Sequence, residues 1–125
     1  MLLTAAALAF SAPTTQGEHK FMDATKARVV ASGKTWNTKS IWVGGHSYWN
    51  WKSDGSVCMR LFAQNGKCDD PGKWKMSNDL LCFELEWFGE LLGLKSACIG
   101  IADQGQGRYL GVDERGWTLF DFTVL

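Results

Sequence analysis

The sequence predicts a mainly β protein: a single antiparallel β-barrel or strongly curved β-sheet, built as a meander, with a short N-terminal helix. Three observations carry this expectation. Beyond Gly33 the chain falls into short alternating runs between turn residues at close, regular spacing, the pattern of hairpin-linked strands. Only one earlier segment repeats at helical spacing. Seven Trp and seven Phe in 125 residues also demand a packed core, a ligand groove, or both.

Residues 1–12 read as a signal peptide. Leu2 to Phe10 is apolar but too short to span a bilayer, and small residues follow it. Ala9-Phe10-Ser11 fits the small-x-small cleavage rule, and Ala7-Leu8-Ala9 fits nearly as well; no Lys or Arg precedes the apolar run. Residues 13–32 form a lead-in containing the helix. Within 18–31 (EHKFMDATKARVVA), Phe21, Thr25 and Val29 recur every four residues, and Gly33 follows as a C-cap candidate.

Residues 33–125 are then a disulfide-stapled β-domain. KTWNTK (34–39) and IWV (41–43) precede the Gly44-Gly45 break, and SYWNW (47–51) leads into the Asp54-Gly55 turn. In VCMRLFA (57–63), Val57, Met59, Leu61 and Ala63 share one face, and in GKWKM (72–76) Trp74 and Met76 do. Strands over 80–88, 97–102, 108–112 and 116–125 complete the chain, with turns at Ser77-Asn78-Asp79 and Asp113 to Gly116.

The cysteines are Cys58, Cys68, Cys82 and Cys98, an even number with none of the paired C-x-x-C spacing of zinc knuckles. Disulfides fit them best, and with the signal peptide they point to an exported protein, periplasmic or secreted. Four cysteines allow three connectivities. Cys82–Cys98 is favoured and leaves Cys58–Cys68 by elimination, a bridge that needs a loop wider than a tight Asn65-Gly66 turn.

Several landmarks together suggest a family. GKTW (33–36) follows the helix, SYWNWKSDG (47–55) and GKW (72–74) come next, and Leu81-Cys82 begins a segment ending in Trp87, with Cys98 opening the next strand. In these features the chain resembles the small exported bacterial proteins grouped as the domain of unknown function 995 family, over residues 30 to 125. Cys58 and Cys68 are an addition to that pattern. The resemblance implies export and a compact β-rich domain, and implies no reaction.

Lys+Arg and Asp+Glu balance at 13 each and no basic stripe forms, which argues against nucleic acid as a partner. No stable membrane span, cofactor or metal site is expected. Asp54, Asp69, Asp70 and Asp79 adjoin turn residues, where aspartate bonds its own backbone. DQGQGRY (103–109) leads into a strand instead of a helix, so it is no phosphate cradle. No nucleophile motif surrounds His19 or His46.

Glu84 and Glu86 stand two residues apart on one face of a strand, roughly 6–7 Å from each other. Glycosidase acids flank a bond from opposite sides, which strand neighbours do not naturally do. With Leu81, Phe83, Leu85 and Trp87 directed into the core, the glutamates face solvent. Trp49 and Trp51 are expected inside, while Trp42, His46 and Tyr48 form the candidate ligand surface. The expected function is a non-enzymatic binding module for an envelope component, a glycan or a protein, with enzyme inhibitors as one subtype. A hydrolase using Glu84 and Glu86 is the first alternative, and a structural envelope interaction protein the second.

Overall fold

The computed structural model describes residues 19–39, 45–61, 63–87 and 95–125. The expected signal peptide and the expected strand over 41–43 lie outside them. Eight strands pair antiparallel in chain order and close on themselves: β1 (Lys34–Lys39), β2 (His46–Trp51), β3 (Ser56–Leu61), β4 (Asp70–Ser77), β5 (Leu80–Leu85), β6 (Ser96–Gly105), β7 (Arg108–Asp113) and β8 (Thr118–Val124). The closing ladder sets Trp36 of β1 opposite Val124 of β8. Closure gives each of these strands two neighbours, which distinguishes the fold from an open curved sheet.

Alternation decides what lies inside. Trp36, Trp49, Trp51, Phe83, Phe120 and Phe122 all point inward and are essentially buried. Trp36 stacks on Phe122 with centroids 3.7 Å apart, and Trp49 meets Phe120 edge-on at 4.8 Å. Met59, Leu81, Leu85, Ile99 and Ile101 fill the remaining space. The barrel interior is therefore a packed core rather than a lumen, as its small strand number permits. Each such side chain contributes roughly 1.5–3 kcal/mol by leaving water.

The helix α1 (Ala24–Ala31) closes the end at which β1 begins. Ala27, Val30 and Ala31 are buried, and the Trp36 indole N–H donates to the Val30 carbonyl at 3.0 Å. Gly33, at φ 76°, donates its N–H to the carbonyl of Trp51 at 2.7 Å. The helix is shorter than the expected 18–31. Asp23 caps it by accepting from the Lys26 N–H, and Asp79 of the β4–β5 turn accepts the Ala24 N–H at 2.9 Å. Upstream, Phe21 pairs with Ala102 and the Met22 N–H donates to the Ile101 carbonyl, so this stretch is extended along β6. The Phe21 ring occupies the space that a side chain at Gly100 would need: a Cβ there would stand 2.7 Å from it.

Both disulfides join strands or their immediate extensions. Cys82 faces Cys98 directly across β5 and β6 and is bonded to it. Cys58 is bonded to Cys68, with Cα atoms 5.7 Å apart. Here the β3–β4 connection is wide: Met59 faces Asp70 and Cys58 faces Pro71, so Asn65-Gly66 is no tight hairpin turn between paired strands. Among the described residues, no helix is long and apolar enough to cross a membrane.

Candidate functional site

The three residues expected to form a ligand surface are treated differently by the fold. Trp42 lies outside the described residues. His46 is exposed at the start of β2, its Nδ1 2.7 Å from the Asn37 Oδ1. It lines a surface groove of about 480 Å³ with Lys39, Arg108 and Asp121. Tyr48 is half-buried on the same outer face, opposite Asn37 and Arg60, and does not line that groove. Arg108 clasps Asp121 through two hydrogen bonds of 2.9 and 2.7 Å. The bond from Arg108, aided by the charges of Arg108 and Lys39, holds the Asp121 carboxyl below its ordinary range.

Glu84 faces solvent as the alternation of β5 requires, and Glu86, just past the end of the strand, is exposed as well. Lys73 stands directly opposite Glu84 on β4. Together with Leu85, Trp87 and Lys95 these residues line a groove of about 400 Å³. One candidate for a third acid, Asp70, is fully buried. Its Oδ1 accepts the main-chain N–H groups of Glu86 at 3.1 Å and Trp87 at 2.8 Å. It thus holds backbone and does not face the glutamates across a groove.

That contact explains a departure from the expected core. Leu81, Phe83 and Leu85 are buried, but Trp87 is 64% exposed. The strand β5 ends at Leu85: the Glu86 N–H is shared between the Pro71 carbonyl and the Asp70 carboxylate, and the Trp87 N–H turns to Asp70 instead of continuing the ladder. The indole is left on the rim.

A second tryptophan shares this arrangement. Trp117, in the turn before β8, is 57% exposed. Its main-chain N–H donates to Oδ1 of Asp113 at 2.9 Å, and Asp113 is only 5% exposed. Oδ2 of the same aspartate accepts from the Arg115 Nε and Nη2 at 2.9 and 2.7 Å. The guanidinium lies 3.9 Å from the centroid of the Trp117 ring, a cation–π contact. Because β5 ends and β8 begins at the same end of the meander, both rings belong to the rim opposite α1.

The rim therefore carries two exposed indoles, each with its backbone pinned by a buried carboxylate. Backbone held in this way loses little freedom on binding. Sequence reasoning missed Trp117, Arg115 and Asp113 as a group. The available signal was an Arg two residues before a Trp, in a turn opened by an Asp able to bond the following backbone.

No protein-family model, curated protein or solved structure matches this chain.

Proposed function

We propose that this chain is an exported, non-enzymatic binding module that engages an envelope component, a glycan or a protein, through the rim opposite its helix. The observation that carries this reading is the pair of exposed indoles, Trp87 and Trp117, each on backbone held by a buried aspartate. Trp and Arg are the residue types that most often anchor interfaces. The filled interior directs binding to the outside of the barrel.

The two disulfides are compatible with an oxidising, extracytoplasmic compartment. The sequence landmarks that resemble the domain of unknown function 995 family support the same setting. An inhibitor of a hydrolytic enzyme is one form such a module takes. The hydrolase reading has less behind it, since Glu84 on β5 and Glu86 just past its end face solvent side by side and the buried Asp70 carboxylate bonds the main-chain N–H groups of Glu86 and Trp87.

The test is retention of envelope components by the immobilised protein and by its Trp87→Ala and Trp117→Ala variants. A component held by the native protein should be lost by the variants at unchanged melting temperature. Equal retention by all three would remove the rim from the account.

A further inference from the structure

We infer that the outer face of β4 and β5 is a trough for a linear, uncharged oligosaccharide, with Trp87 as its stacking platform; this rests on the binding-module reading above. Two surface grooves meet there. One, of about 410 Å³, runs from Gly55 past Lys75 and Cys82. The other, of about 400 Å³, ends at Trp87 and Lys95. Both are lined by Lys73 and Glu84, so they adjoin at this cross-strand pair. From Cys82 to Leu85 the strand beneath the two grooves covers about 10 Å at strand rise, room for more than one sugar ring.

The chemistry of the walls selects the class. Ammonium and carboxylate groups interleave, with Lys73 directly opposite Glu84, so neither sign of charge dominates a ligand lying between them. Carboxylates accept from hydroxyl groups and ammonium groups donate to them. The exposed indole offers an apolar face to the C–H side of a pyranose ring. An extended peptide would gain most of its affinity by adding to a sheet edge, and at this trough β4 and β5 are already paired with neighbours on both sides. A hydroxyl-rich chain bound through side chains alone fits what remains.

The experiment is calorimetric titration of the full chain with cellotetraose and chitotetraose, and with a sulfated heparin tetrasaccharide as the charged counterpart. A neutral tetrasaccharide should bind, with little dependence on salt. Trp87→Ala should weaken it about tenfold or more through lost stacking, and Glu84→Gln by a similar factor through a lost acceptor. Lys26→Gln, on the exposed side of α1, should leave the affinity unchanged. No binding of either neutral probe would overturn the inference. So would affinity unaltered in both the Trp87 and Glu84 variants, or salt-sensitive preference for the sulfated sugar. If neutral sugars fail while envelope components are still retained through Trp87 and Trp117, the oligosaccharide inference falls and the binding-module reading stands. If retention fails as well, both fall.

Discussion

Asp70 and Trp87 are joined by a 2.8 Å hydrogen bond from a main-chain N–H on the solvent rim to a carboxylate that is fully buried. The bond ends β5 and turns the indole outward. Such a carboxylate is expensive to remove: the Glu86 N–H keeps the Pro71 carbonyl as a partner, but the Trp87 N–H loses its acceptor. Asp70→Ala should destabilise the protein by about 2–4 kcal/mol in urea unfolding. Asp70→Asn keeps the shape and one acceptor oxygen and should be milder. In both variants the Trp87 amide should gain hydrogen-exchange rate beyond that of the β5 core. An unchanged exchange rate would mean that the carboxylate does not hold the rim.

The Cys58–Cys68 bridge lies just upstream of this contact, since Cys68 is two residues before Asp70. Closing a loop with a sequence separation of 10 residues restricts the unfolded chain by about 3 kcal/mol in the chain-entropy account. The Cys58→Ala/Cys68→Ala double variant should lose stability of that order. It should also loosen the Asp70–Trp87 contact before the barrel core, seen as early exchange at residues 86 and 87. Loss of stability with rim protection intact would separate the bridge from the rim.

Two glycines report how closely the backbone packs. A Cβ on Gly72 would run into the Glu84 carbonyl oxygen, which is backbone and cannot yield without moving β5. A Cβ on Gly100 would meet the Phe21 ring at 2.7 Å, and that ring can swing away. Gly72→Ala should therefore compromise folding outright, while Gly100→Ala should cost about 1–3 kcal/mol. Because Gly100→Ala acts through Phe21, its effect should shrink in a Phe21→Ala background, which a double-mutant cycle would measure. Strict additivity would contradict the packing of the lead-in against β6.

The Arg108–Asp121 pair sets a pH dependence whose sign follows from the depressed Asp121 pKa. Its ordinary value is 3.8, and the folded value lies lower. The contribution is present above the ordinary value and fades as pH falls through the folded one. The pair is partly exposed, so its worth should stay under about 1 kcal/mol. The stability gap between the native protein and Asp121→Asn should be constant from about pH 7 to about pH 5 and close below that. A gap that widens on acidification would contradict the assignment.

Much of this barrel is written in local pattern. The alternation of SYWNW places Trp49 and Trp51 inside and leaves Tyr48 on the wall, and Val57 and Met59 follow the same rule on β3. Asp54-Gly55 turns where turn chemistry demands: Gly55 sits at φ 92° and the Asp54 carboxylate bonds the Ser56 N–H. The solvent-facing position of Glu84 and Glu86 was legible too.

The rim was not, because its determinants are distant in sequence. Alternation alone carries Trp87 inward, and only Asp70, seventeen residues earlier, ends the strand. The start of the helix depends likewise on β6. Residues 19–22 have no helix-breaking residue, but an unpaired length of β6 takes Phe21 and Met22 into extended pairing. Barrel closure also rests on the β1–β8 register, a long-range pairing that no turn specifies.

The most direct test of a rim-binding module is the set of indole N–H resonances of the seven tryptophans, assigned by substitution and followed while soluble envelope glycans and proteins are added. The account predicts that Trp87 and Trp117 shift or broaden while the buried Trp36, Trp49 and Trp51 stay in place. Perturbation confined to the interior indoles, or none at Trp87 and Trp117 when a component is bound, would contradict it.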